Sequence, residues 1–483
     1  HAFENKYGDK LPVFKGDFTP YWEDGAASSA RETGLNRQSS DRLLQAETLW
    51  AMLSPGVFPA ADFDAAWKNA ALYNEHTWGA YNSIHQPDLA FVKTQWKYKQ
   101  GYALDADRQS RELLGKALAA PEAGAVPGAF DVFNTASWPR TDLVTLPKET
   151  AGDLVKDDRG WPVPSQRLSS GELVFLAAGV PAFGGRRYSV GPGTPPVGKA
   201  AVSGAVLSTP LLTVKVDEKT GAIVSLRRSG LAEELSDGRI NSYVYLPGGN
   251  VKDAVSNGPV KISARESGPL VVSLVVESDA PGCVSLAREI RLVDGLDRVE
   301  IGDLVDKKAV RAVEGVHFGF GFNVPKPVVR VNSPGAIGQV EKDQIPGSCK
   351  NWYSVERWVD ISNDRYGVTW STLDAPLVEV GGLTANLPRG QPNPHVYMKK
   401  IEQSALIYSW VMNNHWHTNY KADQDGPTWF RYAIRPHSRY KADEAMRFGV
   451  ESTRALVCRP AAGPAVPRPV LGVEPHSVVA TAL

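Results

Sequence analysis

The stretch PEAGAVPG (residues 121–128) separates two different sequence patterns and so decides the fold class. A run of alanine, glycine and proline favours a linker over a helix or a strand. Before this stretch, apolar residues recur every three or four positions. After it, short apolar runs are separated by Gly, Pro and Asp. We therefore expect helices before the first domain boundary and strands after it.

Upstream of the linker the spacing predicts three amphipathic helices. Ser28 or Ser29 precedes Glu32 in the manner of a capping box and marks the first helix start. The second helix is predicted over roughly residues 61–74, and the third after Pro87. Helices of this kind with short connections predict a three-helix bundle.

Downstream of the linker the chain reads as an all-β region. Many short apolar runs with turn signals between them are typical of a β-sandwich. The predicted strands include residues 143–146, 173–177, 211–216, 223–226, 271–276 and 299–304. The turn DEKTG (residues 217–221) between two of these runs predicts a hairpin. A second Pro/Gly-rich stretch, GPGTPPVG (residues 191–198), is a softer boundary.

The fold class predicted is α+β and multidomain, with a three-helix bundle followed by a large antiparallel β-sandwich region. The four predicted parts are a turn-rich segment, the bundle, a small β-domain and the large sandwich, at residues 1–27, 28–120, 121–198 and 199–483. Segment 1–27 is expected to be a loop or short strand packed on something larger. The chain opens at His1 without Met and closes on SVVATAL (residues 477–483), which reads as an interrupted strand. We expect it to be an internal piece of a longer protein.

Composition excludes some classes of partner. Lys plus Arg number 53 and Asp plus Glu number 53, so the net charge is zero. This balance argues against a nucleic-acid partner, which needs a basic excess. No apolar run approaches the roughly 20 residues that span a bilayer, so no membrane partner is expected. The chain is expected to be soluble; its composition does not fix the compartment and only slightly favours a periplasmic or secreted location over a cytoplasmic one. Its three cysteines are far apart and match no metal or redox spacing.

Two polar-aromatic clusters are candidates for a site. The first, YNEHTWGA (residues 73–80), closes the second predicted helix and contains Glu75, His76 and Thr77. A histidine at a helix end is commonly a dipole-stabilised cap, so this reading stays open. The second, MNNHWHTNY (residues 412–420), has too many Asn and His residues for a central strand by propensity. It is either a polar surface loop or a sugar-contacting rim.

Other catalytic motifs are lacking from the sequence. There is no Gly-x-Ser-x-Gly elbow for a serine hydrolase and no complete Gly-x-x-x-x-Gly-Lys-Ser/Thr loop for phosphates. His415 and His417 lie two apart, yet no Cys or third His stands nearby to complete a metal site. The tryptophan at Trp358 is interpreted as a core residue.

The order of parts resembles the C-terminal two-thirds of glycoside hydrolase family 38, the retaining α-mannosidases. Segment YWEDGAASS (residues 21–29) resembles the stretch that leaves the family's catalytic barrel, and FNTASWPR (residues 133–140) the opening of its sandwich. Residues 75–80 and 412–420 are similar to motifs of the bacterial branch. The resemblance spans nearly the whole chain.

This resemblance implies a zinc-dependent hydrolase of terminal α-mannosides, with a carbohydrate as substrate. His76 would be the one zinc ligand that the chain supplies. Sugar-contacting residues would be Trp22, Thr77, Glu75, Asn414, His415, Trp416 and Tyr420. Thr77 stands where many members have an Asp, so its contact departs from the family pattern. The catalytic nucleophile, the acid/base and the other zinc ligands would lie in the barrel, which is expected to precede His1.

On this interpretation the chain alone neither binds zinc tightly nor hydrolyses a glycoside. An alternative from another class is a non-catalytic carbohydrate-binding or scaffolding β-sandwich protein, in which the residues around His76 only end a helix. The two hypotheses differ in what they require upstream of His1: a barrel for the first, a signal peptide for the second.

Overall fold

The computed structural model describes residues 1–17, 23–75, 79, 81–119, 124–384, 398–414, 419–463, 469, 471–475 and 477–480. In these residues, five α-helices are present: α1 (Ala2–Tyr7), α2 (Ala30–Leu53), α3 (Ala60–Tyr73), α4 (Ala90–Ala117) and α5 (Ala442–Thr453). None of the helices in the described ranges is long and apolar enough to cross a membrane.

Strands fill most of the chain after α4. Those of the first β-region are β1 (Ala125–Asn134), β2 (Arg140–Leu146), β3 (Leu154–Lys156), β4 (Pro162–Val163), β5 (Ser165–Arg167), β6 (Leu173–Val180) and β7 (Gly184–Gly191). A second set is β8 (Ala201–Ser203), β9 (Val206–Ser208), β10 (Leu212–Val216), β11 (Ile223–Arg228), β12 (Ser242–Pro247), β13 (Val260–Ser267), β14 (Val271–Ser278), β15 (Cys283–Val293) and β16 (Val299–Lys307). The last set is β17 (Glu314–Gly321), β18 (Val328–Ser333), β19 (Ala336–Gln339), β20 (Tyr353–Ser354), β21 (Trp358–Ser362), β22 (Gly367–Thr372), β23 (Leu377–Val380), β24 (Leu406–Asn414), β25 (Gly426–His437) and β26 (Val457–Ala462).

The strands form antiparallel sheets. A nine-stranded sheet has the order β13-β14-β15-β16-β25-β22-β21-β18-β19, and a five-stranded sheet the order β12-β17-β24-β23-β20. The smaller sheets are β11-β10-β9-β8, β2-β6-β5 and β26-β1-β7-β3-β4. Thus the α+β architecture, a helical bundle followed by a large antiparallel sandwich region, is as the sequence predicts.

The five-stranded sheet is buried on both faces. On one face Phe320 packs against Tyr432 of the nine-stranded sheet, with ring centroids 4.9 Å apart. On the other face Trp410 and Trp352 cluster with Ala27, which lies on a 3₁₀ helix that leads into α2. The central strands of this sheet therefore connect the sandwich core directly to the bundle.

The three long helices α2, α3 and α4 pack on one another through Leu43, Ala46, Phe63, Ala66 and Leu113. The ends of α3, at Ala60 and Tyr73, agree to within a residue with those predicted for the second helix, residues 61 and 74. The capping box is not formed, because the Ser29 side chain makes no cap hydrogen bond and instead bonds to Tyr73. Glu32 accepts from Gln100 of α4.

Four local expectations can be compared with the structure directly. The turn of residues 217–221 joins β10 to β11 as predicted, with the Gly221 N–H donating to the Asp217 carbonyl. Segment 1–17 begins with the exposed helix α1, not a loop or strand. Residues 477–480 form no strand; the Ala480 N–H donates to the Ser137 hydroxyl. Trp358 is fully buried, as expected for a core residue.

The cysteines Cys283, Cys349 and Cys458 are free thiols. β26 (Val457–Ala462) pairs with β1 (Ala125–Asn134), so the first β-region includes a strand from far along the sequence. The domain boundaries at residues 27, 120 and 198 stay predictions.

Candidate functional site

The three segments singled out in the sequence meet at one place. They are the 3₁₀ helix Glu23–Ser29, the end of α3 with the loop after it, and the end of β24 with the residues that follow. The second and third are described only in part, and the contacts between the described residues of all three define the candidate site.

The start of α2 fixes the end of α3. The Tyr73 phenol is fully buried and hydrogen-bonds to the hydroxyls of Ser29, at 3.0 Å, and Thr33, at 2.9 Å. Burial raises the pKa of Tyr73, so the phenol stays neutral and can both donate and accept. The helix end that precedes His76 is therefore held at a defined position.

A lysine from α4 holds the loop after α3. Lys99 Nζ donates to the backbone carbonyls of Leu72, at 3.3 Å, and Glu75, at 2.5 Å. Desolvation lowers the pKa of Lys99 to about 8, although the nearby Glu75 carboxylate opposes this shift. The ammonium also lies 5.6 Å from the centre of the Tyr73 ring. A cation near the last carbonyls of a helix is favourable.

Asp24 is the buried carboxyl group of the site. Tyr420 Oη donates to Asp24 Oδ1 over 3.0 Å, and Asn413 Nδ2 donates to the Asp24 carbonyl over 2.7 Å. Oδ2 has no hydrogen-bond partner among the described residues. Burial raises the pKa of Asp24 to about 7, against a smaller lowering by Tyr420. Near neutral pH this group can act as a hydrogen-bond donor or acceptor.

Gln424 ties the sandwich to the 3₁₀ helix. Its Nε2 donates to the carbonyls of Ala27, at 2.8 Å, and Asn413, at 2.9 Å. Its Oε1 accepts from the N–H of Ala30 at 3.2 Å. One buried amide thus uses both of its polar ends to fix β24 against the start of α2.

The loop after α3 touches the segment after β24. Ser83 Oγ donates to the Tyr420 carbonyl over 2.5 Å. Gly79 lies against the backbone of Asn419, and a Cβ built on it would stand 2.8 Å from the Asn419 carbonyl oxygen. The two polar-aromatic motifs, which are more than 330 positions apart in sequence, are therefore in direct contact.

The candidate residues predicted from the sequence divide into two groups. Trp22, His76, Thr77, His415 and Trp416 lie outside the described residues, and so does the histidine at 417. Glu75 is exposed, and Tyr420 is buried with its hydroxyl on Asp24.

Asn414 is also described. It is buried in β24, and its amide donates to the carbonyls of Val310, at 2.7 Å, and Ala422. Met412–Asn414 is therefore part of an interior strand, against the propensity argument for a loop or rim. Strand pairing with β17 and amide bonds to the backbone outweigh the low strand propensity of Asn. The sugar contacts assigned to these residues stay predictions.

Sequence reasoning did not single out Asp24, Lys99 or Gln424. One signal was available for Asp24, since it stands in a segment with Trp22 and precedes the small residues of GAASS (residues 25–29). Small residues allow close packing, and a carboxylate in a close-packed segment is a candidate for a shifted pKa. Nothing local distinguishes Lys99 or Gln424 from other polar residues of helices and loops.

The described residues contain no group of three or more His, Cys, Asp or Glu side chains that could hold a metal ion. His76, the predicted zinc ligand, is outside them. The described surroundings therefore give no donor set against which zinc can be matched, and the zinc ligand at His76 stays a prediction.

The fold is similar to that of solved structures of glycoside hydrolase family 38. A solved structure of a protein in the glycosyl hydrolase family 38 from Enterococcus faecalis matches with a TM-score of 0.68 and 12% identity, over 98% of this chain and 63% of that chain. An alpha-mannosidase from Enterococcus faecalis V583 matches with a TM-score of 0.66 and 12% identity, over 98% of this chain and 62% of that chain. This chain thus spans less than two-thirds of the length of either structure.

The sequence comparisons found no match. No protein-family model matches the chain, and no curated protein matches it significantly. The likeness is therefore one of fold.

Proposed function

We propose that this chain is part of a retaining, zinc-dependent α-mannosidase that hydrolyses terminal α-mannosides. It would supply one zinc ligand, His76, and part of the wall of the sugar site. The catalytic carboxyl groups and the other zinc ligands would come from a barrel domain outside this sequence. The fold shared with an alpha-mannosidase supports the proposal.

One observation carries the proposal most directly. The contact of Tyr420 with Asp24, together with that of Ser83 with the Tyr420 carbonyl, brings three separate segments to one place. Each of these segments contains residues that the family resemblance assigns to the sugar site. Stability alone does not call for so many polar groups around a buried carboxylate oxygen, Oδ2 of Asp24, that has no partner among the described residues.

The roles of this chain's residues follow from their placement. Tyr73 and Lys99 orient the backbone that carries His76. Asp24 and Tyr420 hold the segment next to Trp22 against the segment next to His415. When bound, zinc would supply a Lewis acid that holds sugar hydroxyls. The chain's share of the work is to bind and orient the sugar ring.

The test uses the full reading frame of the enzyme and compares His76→Ala with His85→Ala. His85 is an exposed histidine nine positions further along, and it serves as the matched control. Metal content and release of 4-nitrophenol from 4-nitrophenyl α-D-mannopyranoside are measured for each. We expect His76→Ala to lose its zinc and to have an activity lower by at least about a hundredfold. This is more than the reduction in activity that follows when a residue hydrogen-bonded to a metal ligand is removed. The His85→Ala enzyme should keep both.

A His76→Ala enzyme that retains stoichiometric zinc and full activity would overturn the assigned ligand. If the unaltered full-length protein binds mannosides without hydrolysing them, the alternative of a non-catalytic carbohydrate-binding protein replaces the proposal. The isolated 483-residue chain is expected to bind zinc weakly, and tight binding lost in His76→Ala would also contradict the shared site.

A further inference from the structure

A polar groove lies on the outer face of the nine-stranded sheet, with a cavity volume of about 410 Å³. Residues of β15, β16 and β25 form its floor, and β2 and the end of α5 form its walls. None of its lining residues belongs to the candidate site built around Asp24 and Tyr420. The proposed mannosidase function leaves this groove unused.

The floor of the groove contains an exposed indole. Among the tryptophans that the structure describes, only Trp161 and Trp429 are exposed, by 69% and 48%. Trp429 lines the groove, whereas Trp161 lies in a hairpin elsewhere. Exposing an indole costs hydrophobic free energy that a buried position would recover, and large exposed aromatics are enriched at binding surfaces.

A glycine next to the indole keeps the floor flat. Gly302 pairs across the sheet with Glu289 on one side and Arg431 on the other. A Cβ on Gly302 would approach the six-membered ring of Trp429 to 3.3 Å. Without a side chain at Gly302 the indole can lie against the strand, with a carboxylate on the neighbouring strand at one side and a guanidinium on the neighbouring strand at the other.

The charges of the groove neutralise one another. Asp142 accepts from both Arg140, at 2.7 Å, and Arg298, at 2.6 Å, and Glu300 accepts from Arg298 and Arg291. Although burial opposes its charged form, Glu300 has its pKa lowered to about 2 by these arginines, so the pairs are ionised.

The polar groups at the floor are paired as well. Arg265 Nη1 lies 3.0 Å from Glu289 Oε2, and Arg431 Nη2 lies 2.8 Å from Asp374 Oδ1. In total, three arginines face four carboxylates in the lining, which leaves no positive excess to attract a phosphate or a nucleic acid. What remains is a set of fixed donors and acceptors around a flat apolar ring.

We propose that this groove is a non-catalytic binding site for a neutral saccharide, with one face of a sugar ring on Trp429 and Gly302 and its hydroxyls on Glu289 and Arg431. A sugar ring has an apolar C–H face and hydroxyls at its rim, which matches an aromatic platform bordered by paired charges. An anionic ligand would have to displace existing ion pairs. A purely apolar ligand would displace water from the charged groups of the groove without offering them hydrogen bonds.

The experiment is ligand-observed saturation-transfer NMR with mannobiose, maltose and cellobiose at millimolar concentrations on the 483-residue chain. Trp429→Ala is compared with Trp161→Ala, which removes a more exposed indole outside the groove. We expect Trp429→Ala to weaken binding of at least one disaccharide by about tenfold, as the loss of an aromatic platform implies. Trp161→Ala should leave it unchanged.

Gly302→Val supplies a second variant that keeps the strand, because Val has high strand propensity and the backbone there is not left-handed. Its side chain would displace the indole from β16 and should abolish binding while the unfolding transition persists. Binding should also be insensitive to salt, since the ligand is uncharged.

Three results would overturn the proposal. One is that none of the three disaccharides binds. Another is that binding is retained in both Trp429→Ala and Gly302→Val. The third is that a sulfated disaccharide binds more tightly than the neutral ones and is released by salt. Binding that is lost in Asp24→Asn but kept in Trp429→Ala would overturn only the groove and leave the proposed mannosidase site standing.

Discussion

The phenol of Tyr420 donates a hydrogen bond to Oδ1 of Asp24 over 3.0 Å, across 396 positions of sequence. Both side chains are buried, by 99% or more of their surface. This bond joins the connection between β24 and β25 to the segment that leads into the helical bundle. It makes the arrangement of the candidate site depend on the packing of two different parts of the chain, and its energetics can be measured.

The first prediction concerns pH. Asp24 has its pKa raised from 3.8 to about 7 by burial. The folded state therefore binds more protons than the unfolded state between these values, and stability from this group is lost as pH rises through about 7. Asp24→Asn removes the titration. The free energy of unfolding of the unaltered chain should therefore fall between pH of about 5 and pH of about 8, while that of Asp24→Asn does not fall for this reason. The difference between the two proteins should shift in favour of the variant by about 1.4 kcal/mol per pKa unit.

Urea unfolding at both pH values measures this difference. Asp64→Asn, which removes an exposed carboxylate of α3, is the control. Its difference in stability from the unaltered chain should be the same at both pH values. An Asp24→Asn chain whose stability changes with pH as the unaltered chain's does would mean that Asp24 is ionised in the folded protein.

The second prediction concerns the contact between the two motifs. In Gly79→Ala the new methyl group would stand 2.8 Å from the Asn419 carbonyl oxygen, a backbone atom that cannot turn aside. We expect a loss of about 1–3 kcal/mol, as for other overpacked sites. Gly115→Ala in α4 meets nothing within 4 Å and should be neutral or gain up to about 1 kcal/mol from helix propensity. Equal stability of the two variants would show that the loop moves freely away from Asn419.

The third prediction concerns the lysine below the loop. Lys99→Met keeps the length of the side chain but leaves the Leu72 and Glu75 carbonyls without this donor. Hydrogen bonds to charged groups contribute about 1.5–3 kcal/mol, so the loop should open more often. Hydrogen exchange of the amides over residues 72–83 is the measurement. Lys97→Met, two positions earlier and exposed, should leave that exchange unaltered.

The fourth prediction concerns a buried pair beside the site. His317 Nε2 lies 3.1 Å from Glu379 Oε2, without the alignment of a hydrogen bond, and both side chains are fully buried. The imidazole stacks on Trp410 with centroids 5.9 Å apart. Glu379→Ala removes one member and should cost about 3–5 kcal/mol in urea unfolding.

The control for that pair is Glu277→Ala, which breaks an exposed contact with Lys261 at 3.8 Å. Exposed pairs contribute only about 0–1 kcal/mol because water and salt screen them. A loss at Glu379 no larger than the loss at Glu277 would show that the buried pair has no net stabilising effect.

Much of the architecture could be predicted from the sequence because it depends on local periodicity. Apolar spacing of three to four residues placed α2, α3 and α4, and the hairpin of residues 217–221 followed from its Asp and Gly. The expectation for Asn413 and Asn414 failed for a physical reason. Strand propensity is weak, and pairing with β17 together with amide bonds to distant carbonyls decided the outcome.

The sequence by itself determined which elements form and which polar motifs they carry, since helix and strand patterns are set by residues a few positions apart. Only the tertiary structure decided that Asp24, Ser83 and Tyr420 meet, because hydrogen bonds across 337 and 396 positions depend on how whole sheets and helices pack. The raised pKa of Asp24 has the same origin. A carboxyl group is desolvated by its neighbours in space, and those neighbours come from every part of the chain.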